Sequence, residues 1–299
     1  MTTGVAIIIN PISGTGGRRD ILADRVRLAH ALGRTHGLDA EVLVSERPGH
    51  AAELAERALA SGLTKVVAWG GDGTLNQVGG VLAFRNAVLG IVPSGSGNGL
   101  ARELGIPLDP EAAFGVAITG RERVIDCGEL DGHLFFNIAG IGLDARIAHQ
   151  FAATGLERRG FRRYLEITAR ELFRYDPDEH SITVGDTTVR SRALMVAIAN
   201  SRQYGNGALI APQAQLDDGQ LDVVVIDNRP PWRALLQIPR VFLGQIAQLG
   251  GVTLMRGEQV EIASGAATLF HVDGEPFVGA ARLTARVRPG ALRVQVPAR

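Results

Sequence analysis

The sequence predicts an α/β fold in two parts: a three-layer α/β domain over residues 1–123, then a mostly antiparallel β-sandwich over 124–299 whose last strand can return to the first domain. Three observations lead there. Up to about residue 123, short β-branched runs alternate with amphipathic stretches, the pattern of a parallel sheet with helices on its faces. From about Arg121 the hydrophobic period falls to two, as in strands with one buried face. Glycine is abundant, 38 of 299 residues against 5% aromatics, and three glycine-rich loops each follow a predicted strand of the first domain.

Val5 to Asn10 reads as the first strand, and Ile21, Leu22, Val26, Ala29 and Leu32 recur at helical spacing behind it. Ala40 to Val44, Lys65 to Trp69 and Val88 to Val92 are the next strands, each followed by a loop and a helix. In the second part, Val124 to Leu130 and Leu134 to Ala139 form a predicted hairpin about Asp131-Gly132, and Ser181 to Val184 with Thr187 to Arg190 form another about Gly185-Asp186. Ala193 to Ala199, Leu221 to Ile226, Gln259 to Ala263, Leu269 to Val272, Leu283 to Val287 and Ala291 to Val296 continue the strands. Helices are predicted at Leu143 to Ala153, Arg162 to Phe173 and Trp232 to Leu249, the last kinked at Pro239.

Composition excludes several classes of function. Thirty-one basic residues balance 31 acidic ones, so the chain has no overall electrostatic attraction for nucleic acid, and anion binding must be local. The single cysteine, Cys127, rules out an internal disulfide and a thiolate-only metal site. Apolar runs fall well short of the roughly 20 residues of a membrane span, and the N-terminus has no signal-peptide pattern. A cytoplasmic location is the expectation. The sequence leaves the oligomeric state open, a homodimer included.

The chemistry concentrates in the three loops: Asn10-Pro11-Ile12-Ser13-Gly14-Thr15-Gly16-Gly17, Gly70-Gly71-Asp72-Gly73-Thr74 and Pro93-Ser94-Gly95-Ser96-Gly97-Asn98-Gly99. All lie at carboxyl ends of predicted parallel strands, where open α/β sheets bind ligands. Glycines let backbone N–H groups approach an anion, and the helix starting near Thr74 adds its dipole. Asp72 fits a phosphate loop where it orients Mg²⁺ or accepts a proton; otherwise it caps a tight strand-to-helix turn. Three such loops on one sheet edge point to an extended phosphate chain, hence a nucleotide. The P-loop pattern is absent, and no dinucleotide fingerprint stands in the required strand-to-helix setting.

These motifs resemble the lipid kinase superfamily of diacylglycerol, sphingosine and ceramide kinases, in its bacterial form. The resemblance is carried in order by Asn10 to Gly14, Gly70-Gly71-Asp72-Gly73-Thr74-Leu75-Asn76, Pro93 to Arg102, Leu216-Asp217-Asp218-Gly219-Gln220-Leu221-Asp222 and Val272-Asp273-Gly274-Glu275. It implies an N-terminal nucleotide domain of the NAD kinase and phosphofructokinase type, a C-terminal β-sandwich, and transfer of the ATP γ-phosphoryl group to a lipid hydroxyl. It further implies that Asn10, Pro11, Ile12, Ser13, Gly14, Gly70, Gly71, Asp72, Gly73, Thr74, Leu75, Asn76 and Ser96 contact ATP, with Ser45 a less specific match. Glu275 matches the general base. Asp218, with the carbonyls of Gln215 and Gln220, matches a Mg²⁺ site, and Asp126 and Asp144 match acceptor-side positions.

Gly99 departs from the many members that carry Asp there and is closer to the sphingosine kinase pattern. Two segments combine arginines with aromatic and aliphatic residues, Arg158 to Tyr164 and Trp232 to Leu249. Either could make transient contact with a membrane surface or be a solvated helix face. A kinase of a soluble acceptor such as NAD, and a nucleotide or lipid sensor without catalysis, are the competing expectations.

Overall fold

A computed structural model describes residues 4–14, 19–153, 161–205 and 207–298, except the side chains of 19, 20, 161–165, 234, 235 and 238. Its contacts divide the chain into two compact units, Met1–Ile125 with Gly290–Arg299, and Asp126–Pro289.

The first unit alternates β1 (Gly4–Ile9), α1 (Arg19–Thr35), β2 (Asp39–Val44), α2 (His50–Ala60), β3 (Lys65–Gly70), α3 (Asp72–Leu82), β4 (Val88–Pro93), α4 (Gly99–Glu103) and α5 (Pro110–Thr119). β1 pairs in parallel with both β2 and β3, and β3 with β4. The order β2-β1-β3-β4 reverses direction between β1 and β3, which makes the ends of these two strands the topological switch point. After its first residue each of β1, β3 and β4 is buried throughout, as expected of parallel strands covered on both faces. The edge strand β2 alternates instead. Asp109 starts α5 by accepting the Ala112 N–H at 2.9 Å, with Pro110 in the first turn.

β5 (Arg121–Leu130) leads into the second unit. There follow β6 (His133–Phe135), β7 (Ile138–Gly142), α6 (Leu143–Ala153), α7 (Phe161–Leu172), β8 (His180–Val184), β9 (Thr187–Ser191), β10 (Ala193–Ala199), β11 (Gln203–Gly205), β12 (Ala208–Leu209), β13 (Leu221–Asp227), α8 (Pro231–Phe242), β14 (Val252–Gly257), β15 (Gln259–Ser264), β16 (Thr268–Val272), β17 (Glu275–Gly279) and β18 (Arg282–Val296). One antiparallel sheet runs β14-β13-β10-β7-β16-β17; another joins β18, β15, β8 and β9. Their inward residues make one core, with Ile141, Val196, Ile198, Val223, Phe270 and Val272 from the first and Ile182, Val260, Ile262, Leu283 and Ala285 from the second. A second apolar layer, including Ala197, Ala199, Ile210, Val224 and Ile246, lies on the other face of β10 and β13, with Val241 of α8 packed against it.

Three elements differ from the sequence expectation. Leu283 to Val287 and Ala291 to Val296 are not separate strands but one, β18. Pro289 and Gly290, the latter at φ 62°, interrupt the alternation without ending the extended course, and beyond them Arg293 and Val294 pair in parallel with Val88 and Leu89 of β4. The predicted helix to Leu249 stops at Phe242, because Gly244 takes φ 68° and a separate 3₁₀ turn forms at Ile246–Gln248. The predicted strand Leu134 to Ala139 is broken at Phe136-Asn137 into β6 and β7. Arg158, Arg159 and Gly160 lie outside the described residues, as do the side chains from Phe161 to Tyr164 and the loop residues Thr15, Gly16 and Gly17. Among the described residues no helix is long and apolar enough to cross a membrane.

Candidate functional site

In the first unit the loops after β1, β3 and β4 meet backbone to backbone. A Cβ on Gly71 would stand 3.1 Å from the Gly95 Cα and 3.3 Å from Ser13 Oγ, and a Cβ on Gly14 would overlap the Ser94 carbonyl oxygen at 2.1 Å. Only residues without side chains allow this approach. Asn10 ties the first loop to α3: its Nδ2 donates to Thr74 Oγ1 at 2.8 Å, while its Oδ1 accepts the Ile12 N–H at 3.1 Å. Arg25 of α1 holds the same loop from behind, donating to the carbonyls of Asn10 at 3.1 Å and Ser13 at 2.9 Å. Half-buried there, its guanidinium has a lowered pKa and still places a positive charge under the loop.

Gly71 precedes the first turn of α3 in extended conformation, so the N-terminus of that helix, with its dipole, opens at the same loops. Asp72 Oδ1 accepts the Gly99 N–H at 2.8 Å, which links the loop after β3 to the start of α4. Asn98, left-handed at φ 50°, closes its own loop by accepting the Gly95 N–H at 2.8 Å and donating to the Gly95 carbonyl at 2.9 Å. The buried hydroxyl oxygens of Ser13 and Ser94 have no hydrogen-bond partner among the described residues. Two unpartnered hydroxyls, a helix N-terminus and a near guanidinium suit a phosphate chain. Ile12, Gly14 and Ser96 are exposed, whereas Leu75 of α3 is buried in the core. Ser45 is buried, its N–H on the Ile9 carbonyl.

The second unit holds the remaining predicted residues, and one hydrogen-bonded chain links most of them. Asp273, at φ 46° in the β16–β17 turn, accepts the N–H groups of Phe136 at 2.8 Å, Asn137 at 2.9 Å and Ile138 at 3.1 Å. These are the groups left unpaired where β6 and β7 break. Buried Asn200 donates from Nδ2 to the carbonyls of Phe136 and Asp126, both at 3.0 Å. Asp126 in turn accepts the Gly219 N–H at 2.8 Å and donates its own N–H to Leu216, so it shapes the turn that carries Asp218.

On the other side of the β16–β17 turn, the Gly274 N–H donates to His271 Nδ1 at 3.3 Å. That assigns the proton to Nε2, which donates to Asp144 Oδ2 at 3.1 Å. Tyr204 adds its hydroxyl to the same oxygen at 3.0 Å, and Asp144 Oδ1 accepts the Ala145 N–H at 2.8 Å. Gly140 makes the room, since a Cβ there would lie 2.2 Å from Asp144 Oδ2. Glu275 follows, exposed, at the start of edge strand β17, paired in register with Val272.

Asp126 and Asp144 therefore sit at opposite ends of one network rather than together. Asp218 gives one oxygen to the Gln220 N–H at 3.0 Å and pairs through the other with Arg256. Each carboxylate oxygen of Asp218 thus has one partner, one of them the Arg256 guanidinium. No cluster of three or more His, Cys, Asp or Glu able to hold a metal occurs among the described residues. Sequence reasoning missed Arg25, Asn137, Asn200, Tyr204 and His271; Asn200-Ser201 at the end of an apolar strand was the one visible signal.

Two predictions follow from this geometry. Burial pushes the Asp222 carboxyl up to about 6, outweighing Arg256 Nε at 3.7 Å. Because the folded pKa lies above the unfolded value near 3.8, this group costs nothing at low pH, and its penalty grows as pH rises through 4 to 6. Asp222→Asn should gain stability over the native chain across that window, by on the order of 2–3 kcal/mol at pH 7, measured by urea unfolding. His271→Leu removes the ring donor from buried Asp144 and the acceptor from Gly274, and the same measurement should show a loss of about 3 kcal/mol.

Comparison with known proteins matches residues 4–130 to the diacylglycerol kinase catalytic domain and residues 137–296 to the YegS C-terminal NAD kinase beta sandwich-like domain. A Pseudomonas aeruginosa PAO1 protein named "Probable lipid kinase YegS-like" is 33% identical over 285 residues, 92% of this chain and 90% of that one. One of the same name from Pseudomonas fluorescens Pf-5 is 32% identical over 299 residues, 93% of each. Among solved structures, a diacylglycerol kinase from Bacillus anthracis str. Sterne superposes with TM-score 0.74 at 18% identity, covering 98% of this chain and 97% of that one. An ATP complex of an Archaeoglobus fulgidus NAD kinase gives 0.52 at 12% identity, over 97% and 93%; at these identities both show the fold. With both family models and near-full-length relatives in agreement, the chain belongs to the YegS-like family of diacylglycerol kinase catalytic-domain proteins and is, by that membership, a phosphotransferase.

Proposed function

We propose that the protein is an ATP-dependent lipid kinase that phosphorylates the hydroxyl of a diacylglycerol, sphingoid or related lipid. The observation that carries the nucleotide half is the closure of the three loops: Gly71 against Gly95, with the Ser13 and Ser94 hydroxyls unpartnered beside them. The relatives' name as lipid kinases supports the acceptor class.

In this reading Asn10 to Gly14, Gly70 to Asn76 and Ser94 to Ser96 hold ATP through backbone N–H groups and the two hydroxyls. Leu75 contributes only backbone, and Ser45 only shape. Asp72, steadied by the Gly99 N–H, holds the Mg²⁺ that accompanies the nucleotide. When bound, that ion neutralises charge on the phosphate oxygens. Glu275 acts as general base, taking the proton from the acceptor hydroxyl as that hydroxyl's oxygen bonds to the γ-phosphorus and the bond from this phosphorus to the β,γ-bridging oxygen breaks, so that ADP leaves. The Asp273 clamp and the His271 contact to Gly274 orient the backbone from which Glu275 projects. Asp126 shapes the 215–220 turn, and Asp144 anchors His271. Both serve the acceptor side by positioning rather than by offering a free carboxylate.

The test is phosphorylation of a total lipid extract by labelled ATP, with products identified by mass spectrometry and NAD assayed in parallel. Glu275→Ala should cut turnover by at least about a hundredfold while nucleotide affinity stays the same. Gly95→Val should do the reverse, abolishing nucleotide binding by forcing the loops apart. Unchanged turnover in Glu275→Ala would remove Glu275 from the mechanism, and exclusive phosphorylation of NAD would replace the lipid acceptor by a soluble one.

A further inference from the structure

The exposed side of α8 is not used by any step above. Trp232, Leu236, Pro239 and Leu243 are spaced by steps of four, three and four residues and so fall on one stripe of the helix. Trp232 is 56% exposed, Leu236 71% and Leu243 67%. On the opposite side Val241 packs into the apolar layer on β10 and β13. The helix thus has a partly buried apolar anchor and a second apolar face turned outward, which a water-facing helix does not need.

Charge selects what meets that face. Arg233 and Arg240 flank the stripe, exposed, and Arg233 lies over the Trp232 ring at 5.0 Å. No Asp or Glu occurs between Asn228 and Met255, a stretch that also contains Arg229, although acidic and basic residues balance over the whole chain. Aromatic and aliphatic side chains on one face with arginines at its margin are the features of a helix lying in the interface of an anionic bilayer.

We propose that the outward face of α8 docks the protein on anionic lipid bilayers. The inference rests on the proposed function only in that a lipid acceptor gives such docking its use. Binding itself is tested without nucleotide or acceptor, by co-sedimentation of the full chain with phosphatidylcholine vesicles with and without phosphatidylglycerol. The chain should bind the phosphatidylglycerol vesicles and release as salt rises. Leu236→Glu should reduce binding by roughly tenfold, and Arg233→Glu or Arg240→Glu by roughly fivefold each. All three sites are exposed, and unchanged thermal unfolding would show that the variants fold. Activity on detergent-dispersed lipid, assayed separately, reports on the kinase reading alone. Vesicle binding that ignores all three substitutions overturns the proposal. So does light scattering that shows Leu236→Glu splitting a dimer while vesicle binding persists, because the face then belongs to a second copy.

Discussion

The carboxylate of Asp273 fixes the β16–β17 turn of the second unit. Three successive N–H groups, those of Phe136, Asn137 and Ile138, point at it because the chain leaves β6 before it enters β7 and finds no strand partner in between. An anion accepting three backbone donors makes charge-assisted hydrogen bonds, stronger than the ladder bonds they replace. The Asp273 N–H returns to the Ile138 carbonyl at 2.9 Å, so the β16–β17 turn and the start of β7 hold each other. The left-handed φ of Asp273 is a conformation that aspartate tolerates and β-branched residues do not. Without this contact neither the turn nor the residue that follows it, Glu275, has a defined direction.

Around that clamp the polar groups form a chain rather than a set of pairs: Gly219 to Asp126, Asp126 to Asn200, Asn200 to Phe136, Phe136 to Asp273, then through the peptide bond to Gly274, Gly274 to His271, and His271 to Asp144 and Tyr204. Asp126, Asp144, Asn200 and His271 are all buried. Buried polar groups stabilise a structure only when satisfied, and the links just named satisfy their members except for Asn200 Oδ1, which is buried without a partner among the described residues, so losing one member leaves others exposed to the full cost of desolvation. The carboxylate that stays outside the network is Glu275. Its neighbours spend their hydrogen bonds on the backbone beneath it, and Glu275 itself is exposed.

Periodicity carried the fold a long way. The inner strands of the first unit, β1, β3 and β4, are buried apolar runs followed by glycine-rich loops, and the second unit alternates in and out, so both classes could be read locally. What lay beyond reach was pairing over distance. Nothing within Val272-Asp273-Gly274-Glu275 signals that residues more than a hundred positions earlier need its acceptor, so Asp273 reads as a turn residue. His271 shows no ligand spacing because its partners come from α6 and β11, and Arg25 is one of 30 arginines beside the single Lys65. The β18 strand reads as two because Pro289 and Gly290 are strong local punctuation, while the pairing with β4 that keeps it extended is not local. For the loops the reverse holds: their glycines were visible, and the structure adds that they serve close contact between loops as much as contact with an anion.

Position 99 shows how backbone and side chain can divide one task. The Gly99 N–H already holds Asp72, a bond that any residue but proline can make, so glycine there does not weaken the orientation of Asp72. What it omits is a second carboxylate beside the first. Two adjacent carboxylates near a phosphate chain repel it and each other unless a cation lies among them. In the proposed nucleotide site, Gly99 leaves the loops with the Asp72 carboxylate, the N-terminus of α3 and the Arg25 guanidinium behind the first loop. The local balance is therefore shifted toward direct attraction of phosphate by the protein, and less of the neutralisation is left to metal ions held by side chains.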